Sequence, residues 1–189
     1  MSWAPRVFLF LVSTAALFAQ APAAGQSAGL ETDWDIRPVL TEISAHAGRL
    51  LPELDKIDTQ SWVARGASDT YTAQLESSKA QARALATDAK ALAANPERLS
   101  AALEVYFRIQ GLDSMLSSLE QGIRKYQGPA AAESLASLQA ENGANRDRFQ
   151  RYIVNLAAER EQDLAVMDRE AQRCRGMMIQ TTPTPGRKK

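Results

Sequence analysis

The chain of 189 residues carries a single cysteine, Cys174, and a single histidine, His46. One cysteine cannot make an internal disulfide, so packing alone has to hold the fold. One histidine leaves metal chemistry short of ligands. A di-iron bundle requires two Glu-x-x-His pairs, and the nearest approach, Glu42 to His46, has a four-residue spacing and occurs once. Zinc requires three or four such ligands brought together. A b-type haem held by His46 with Met115 or Met167 has no glycine pocket facing it, so no cofactor is expected. An excess of either charge is also missing, with 22 basic residues against 22 acidic ones. A chain so balanced has no field with which to gather a polyanion, which excludes nucleic acid as its main partner.

Long apolar runs are scarce as well. The longest, VFLFLVSTAALF from Val7 to Phe18, is shorter than the roughly 20 residues a membrane-spanning helix needs. It follows the positively charged MSWAPR and precedes the small residues AQAPAAGQ, which is the layout of a secretory signal peptide. Small side chains at Ala21 and Ala23 place cleavage after Ala23, so residues 1–23 read as the signal and 24–32 as a flexible linker. The expectation is an exported protein, periplasmic or secreted, without a transmembrane segment in its mature chain. No cysteine stands near the cleavage site to take a lipid.

Alternation of apolar and polar residues with a period of two is absent too, and apolar positions recur instead at three and four. The expected class is all-α, over residues 33–176. The first helix, with Asp33 as N-cap and Pro38 in its first turn, places Ile36, Leu40, Ile43, Ala47, Leu50, Leu54 and Ile57 on one stripe, and Pro52 is expected to kink it or end it early. After the loop DTQSWVARGAS, a second helix starts near Ser68 or Asp69. Its seam, Tyr71, Leu75, Ser78, Ala82, Leu85, Ala89 and Leu92, has small residues in the middle, so a neighbour can come close. Asn95 and Pro96 read as N-cap and first residue of a third helix. That helix is expected to bury Leu99, Leu103, Tyr106, Leu116, Leu119, Ile123 and Tyr126, and to end at Gly128-Pro129.

From Ala130 a fourth helical pattern runs to Arg175, with Gly176 as its stop and residues 177–189 as a disordered tail. Short connections make successive helices antiparallel. The expected architecture is an elongated up-and-down antiparallel four-helix bundle with a long, coiled-coil-like C-terminal helix. At 1.5 Å per residue the second and third helices come to about 40 and about 47 Å, and an unbroken fourth to about 70 Å. The excess falls on Glu161 to Arg175, where Leu164, Met167, Ala171 and Cys174 form an apolar seam without an obvious cover. If the chain instead breaks at Asn142-Gly143, the segment folds back as a fifth helix and the seam becomes core.

Nothing in the sequence assembles a catalytic set. GQSAG, Gly25 to Gly29, matches the G-x-S-x-G of a nucleophile elbow, but that motif works on a turn between strand and helix, and no strand precedes it here. Charged runs such as AEREQD and MDREAQRCR mix signs at helical spacing, as solvated helix faces do. Asn142 and Asn145 interrupt an apolar stripe and read as a break or a register-setting polar layer. Trp34 and Trp62 flank the first helix, either closing the ends of the core or, for Trp62, anchoring a partner. Arg173 and Arg175 point away from Cys174 on a helix, and the negative helix terminus disfavours its thiolate, which leaves a small seam residue or an intermolecular disulfide.

These features point to an exported, non-enzymatic helical module that binds another protein or a copy of itself, as an adaptor, a chaperone-like protein or a self-associating one. Its candidate contact residues are Trp62, Leu164, Met167, Ala171 and Cys174. The alternative is a bundle that binds a small molecule or cofactor near Asn142, Asn145, Tyr106 and Tyr152.

Overall fold

A computed structural model describes residues 35–181, which form six α-helices, with no strand among them. The expected signal and linker, Asp33, Trp34 and the residues after Thr181 lie outside the described residues.

Helix α1, Arg37–Leu54, opens with Pro38 in its first turn, where a missing N–H costs nothing, and the Asp35 carboxylate accepts the Arg37 N–H at 3.0 Å. The whole expected stripe from Ile36 to Ile57 is buried. Pro52 sits in the last turn and does not break the helix. The carbonyl it leaves without a donor belongs to Gly48, on the solvent side, where water can serve it. The loop after α1 is more ordered than its sequence suggests. Asp58 accepts the Ser61 N–H at 3.0 Å and starts a short α2, Thr59–Ala64, which Gly66 ends at φ 89°.

Helix α3, Thr70–Ala94, lies antiparallel to α1, with the Ser44 hydroxyl donating to the Ala86 carbonyl at 2.7 Å and Lys79 paired with Asp55 at 3.0 Å. Its small seam is why the two helices meet closely: Ser78, Ala82 and Ala89 are buried. Asn95 closes α3 as its C-cap rather than opening the next helix, and α4, Leu99–Tyr126, starts three residues after Pro96. The core line of α4 therefore differs from the expected one in its first half. Ala102, Val105, Ile109 and Leu112 are buried, while Leu99, Leu103 and Tyr106 flank them half-buried.

Gly128, at φ 119°, turns the chain from α4 into α5, Pro129–Glu141. At ENGAN the structure chooses neither an unbroken helix nor a fold-back. Asn142 keeps a helical backbone, φ −83° and ψ −5°, and the chain bends there into α6, Gly143–Thr181. The bent pair α5–α6 is the fourth rod of an up-and-down bundle, packed on α1 and α4 and antiparallel to both. Gly176 does not stop α6, which continues to Thr181, so residues 177–181 belong to the helix and not to a tail. No described helix is long and apolar enough to cross a membrane.

Candidate functional site

Rod lengths create the site. α3 has 25 residues and α4 has 28, whereas α6 alone has 39, which at 1.5 Å per residue means about 37, 42 and 58 Å. Phe149, Ile153 and Leu156 are the last α6 residues buried against the bundle. Every residue from Ala158 to Met178 is exposed. This stretch stays helical without packing because its residues suit a helix, Ala, Glu, Arg, Gln and Leu above all. Local pairs add to this: Arg160 with Asp163 at 3.4 Å, and Gln172 donating to Asp168 at 3.0 Å.

On the overhang the face that was buried below carries on. Leu156 is followed at helical spacing by Arg160, then by Leu164, Met167, Ala171 and Cys174. Leu164 and Met167 expose 65% and 64% of their surface, Val166 38%, and Cys174 is a free, exposed thiol. Four of the five expected contact residues thus stand on one free stretch of helix. Arg160 marks its base, reaching Glu97 at the α3–α4 corner at 3.7 Å.

The fifth, Trp62, lies elsewhere and is corrected. Its side chain is completely buried, stacked on Tyr126 with ring centroids 5.5 to 5.6 Å from Tyr71 and Tyr126. It is a core residue closing one end of the bundle, unavailable to a partner. Arg65 and Lys125 lie over the Tyr126 ring at 5.9 and 5.0 Å and cover the cluster from outside.

Before it reaches the overhang the chain bends at Asn142. There the Asn142 N–H reaches back only three residues, to the Gln139 carbonyl at 3.4 Å. The Leu138 carbonyl, bypassed by the bend, accepts instead from His46 Nε2 at 2.7 Å. That bond fixes the Nε2–H tautomer, since a carbonyl can only accept. His46 is therefore no edge residue: it is buried at 4% exposure, and it ties α1 to the end of α5. Asp113 of α4 fastens both sides of the bend, its backbone carbonyl accepting from Gln139 at 3.1 Å and its carboxylate pairing with Arg146 at 2.7 Å. The signal that could have exposed this clamp was the place of His46 next to the buried Ala47.

Among the residues expected around the alternative pocket, Asn142 is buried with its Oδ1 without a protein partner, Tyr152 donates to the Pro96 carbonyl at 3.0 Å, and Tyr106 packs on Phe107. Burial, and then the carboxylates of Glu97 and Glu159, hold the Tyr152 phenol above its ordinary value. A groove of about 190 Å³ opens elsewhere, lined by Glu53, Lys56, Ile57, Ile123, Gln127 and their neighbours, smaller than ordinary ligand pockets. Among the described residues no three of His, Cys, Asp and Glu gather as a metal site. Phe107 and Val154, 65% and 62% exposed, are apolar surface residues that the sequence reading did not single out. No protein-family model, curated protein or solved structure matches the chain.

Proposed function

We propose that the protein is an exported, non-enzymatic helical interaction module: a rigid bundle that presents the free end of α6 to a protein partner. One observation carries the reading. About four turns of helix, Glu161 to Arg175, are exposed and yet keep the apolar seam Leu164, Met167, Ala171 and Cys174. A helix whose only task was to remain in water has no use for leucine and methionine at matching positions of successive turns. An amphipathic helix laid on another helical surface does, because such contacts are read through anchors spaced three and four apart. The clamp at Asn142 supports the same reading, since it ties the start of α6 to α1 and α4. The amino-terminal layout supports export.

The reading is tested in the cells that make the protein by placing a photo-crosslinking amino acid at Met167, and at Thr87 of α3 as an exposed control on the bundle. The expected outcome is a discrete adduct from position 167 that is absent from position 87, on a protein recovered outside the cytoplasm with Ala24 as its first residue. Adducts from neither position, or a cytoplasmic protein retaining Met1, would overturn it.

A further inference from the structure

The charges on the overhang are segregated along its length. From Ala158 to Asp168 it carries Glu159, Glu161, Asp163 and Asp168 against one arginine, Arg160. From Arg169 to Met178 it carries Arg169, Arg173 and Arg175 against one carboxylate, Glu170. The half next to the bundle is acidic and the far half basic, on a helix that is exposed throughout. Taking the interaction reading above as its basis, we propose that the partner is a second copy of this chain, laid antiparallel, overhang on overhang.

Two relationships on the helix select this arrangement. The first is charge: a parallel pair sets acidic half against acidic half, whereas an antiparallel pair sets each acidic half against a basic one. The second is register. The seam positions Leu164, Met167, Ala171 and Cys174 follow one another at intervals of three, four and three, the spacing of a two-helix seam. Antiparallel pairing centred on Arg169 sets Leu164 opposite Cys174 of the second copy and Met167 opposite its Ala171, and brings Glu161 at the seam's flank beside Arg175, twice by symmetry.

The apolar strip is modest. A helix stretch of 21 residues is about 31 Å long and, with side chains, about 10 Å wide, well short of the ~800 Å² per partner of a standard stable interface. The pair is therefore reversible. It also places the two Cys174 thiols about 15 Å apart along the axis, so Cys174 serves as a small seam residue packed on leucine and does not form a disulfide with its own copy.

Sedimentation velocity on the purified protein, from about 1 µM to about 500 µM, tests the proposal over the range of reversible association. The expected result is a rise from monomer to dimer mass with concentration, abolished by Leu164→Asp while the thermal melt of the bundle is unchanged, since Leu164 touches no core. Glu161→Arg or Arg175→Glu alone weakens the dimer by about threefold to tenfold, and the two together restore it. Under oxidation Leu164→Cys yields a cross-linked dimer through Cys174 of the second copy, and the unaltered chain does not. Ready cross-linking of the unaltered chain through Cys174 would overturn the antiparallel arrangement. A monomer at every concentration would overturn self-pairing altogether. If Met167 still captures a different protein in cells, the interaction module survives that outcome and only the identity of the partner falls; if it captures nothing, both readings fall together.

Discussion

Gly122 of α4 lies directly beneath the indole of Trp62. A Cβ placed on that glycine would stand 2.8 Å from Cζ3 of Trp62 and 2.9 Å from Cε1 of Tyr71, closer than real carbon contacts come. The bundle end is thus closed by an aromatic cluster that fits only because one helical position carries no side chain. In an ordinary exposed helix, replacing glycine by alanine gains about 0.5–1 kcal/mol. Here the gain is outweighed, because overpacking a filled core costs about 1–3 kcal/mol.

The first prediction follows from this opposition of signs. Gly122→Ala lowers the urea midpoint, with a net loss of about 1–2 kcal/mol, whereas Gly111→Ala in the same helix raises it, since an added Cβ there meets nothing within 4 Å. Equal and favourable shifts for both variants would show that Trp62 has room to move.

His46 supplies the second. His46→Leu keeps the volume but leaves the Leu138 carbonyl without its donor at the bend, and an unsatisfied buried acceptor costs about 1–3 kcal/mol. His46→Gln retains an N–H of similar reach and loses less. Equilibrium unfolding ranks the three chains, and a leucine variant as stable as the parent would refute the clamp. For the leucine variant, hydrogen exchange should rise at Asn142 to Arg146 before it rises in α3, because the bend loses its tie to α1.

At alkaline pH two groups act in the same direction. The Asp55 carboxylate hydrogen-bonded to Lys79, joined by Glu76, raises the lysine pKa against a smaller opposing effect of burial, and burial raises that of Tyr152. A raised pKa in the fold means stability that is complete below the unfolded value and lost as pH climbs through the folded one. Stability is therefore expected to be flat with respect to these groups up to about pH 10 and to fall above it. Tyr152→Phe and Lys79→Met should each flatten that fall. A slope above pH 10 that neither substitution changes would remove both groups from the account.

What the sequence made legible can be traced residue by residue. The stripes of α1 and α3 were readable because they face a neighbour along a single line, so spacing alone marks Leu40, Leu50, Leu75 and Leu85 as core. The overhang was readable because rise per residue is fixed and one helical pattern was longer than the rest. Trp62 was readable only in part: closing an end of the core was one of its two readings, and the choice between core and surface was decided by Gly122, sixty positions away, and by the Asp58 cap that turned the loop into α2. Nor was the α4 core line. A helix packed on two neighbours buries its middle, and Ala102 there gives no signal that Leu103 does not give more strongly.

The last prediction separates the two parts of α6. Up to Leu156 the helix contributes buried side chains, Phe149 and Ile153 among them, and is fastened to α4 by Arg146 and Asp113. Beyond Ala157 the described side chains are exposed, so the folded bundle gains from them only helix propensity and local pairs, each on the order of a few tenths of a kcal/mol. Ending the chain after Glu161, which spares Arg160 and its reach to Glu97, is expected to leave the bundle's unfolding midpoint nearly unchanged at low protein concentration. Ending it after Arg148 deletes Phe149, Ile153 and Leu156 from the core. Because a lost Phe alone costs about 3–5 kcal/mol, a large share of the stability of a domain this size, that chain should unfold or lose cooperativity. Circular dichroism melts of both truncations decide the matter. Cooperative collapse of the longer one would mean that the overhang is part of the fold and not a surface held out from it.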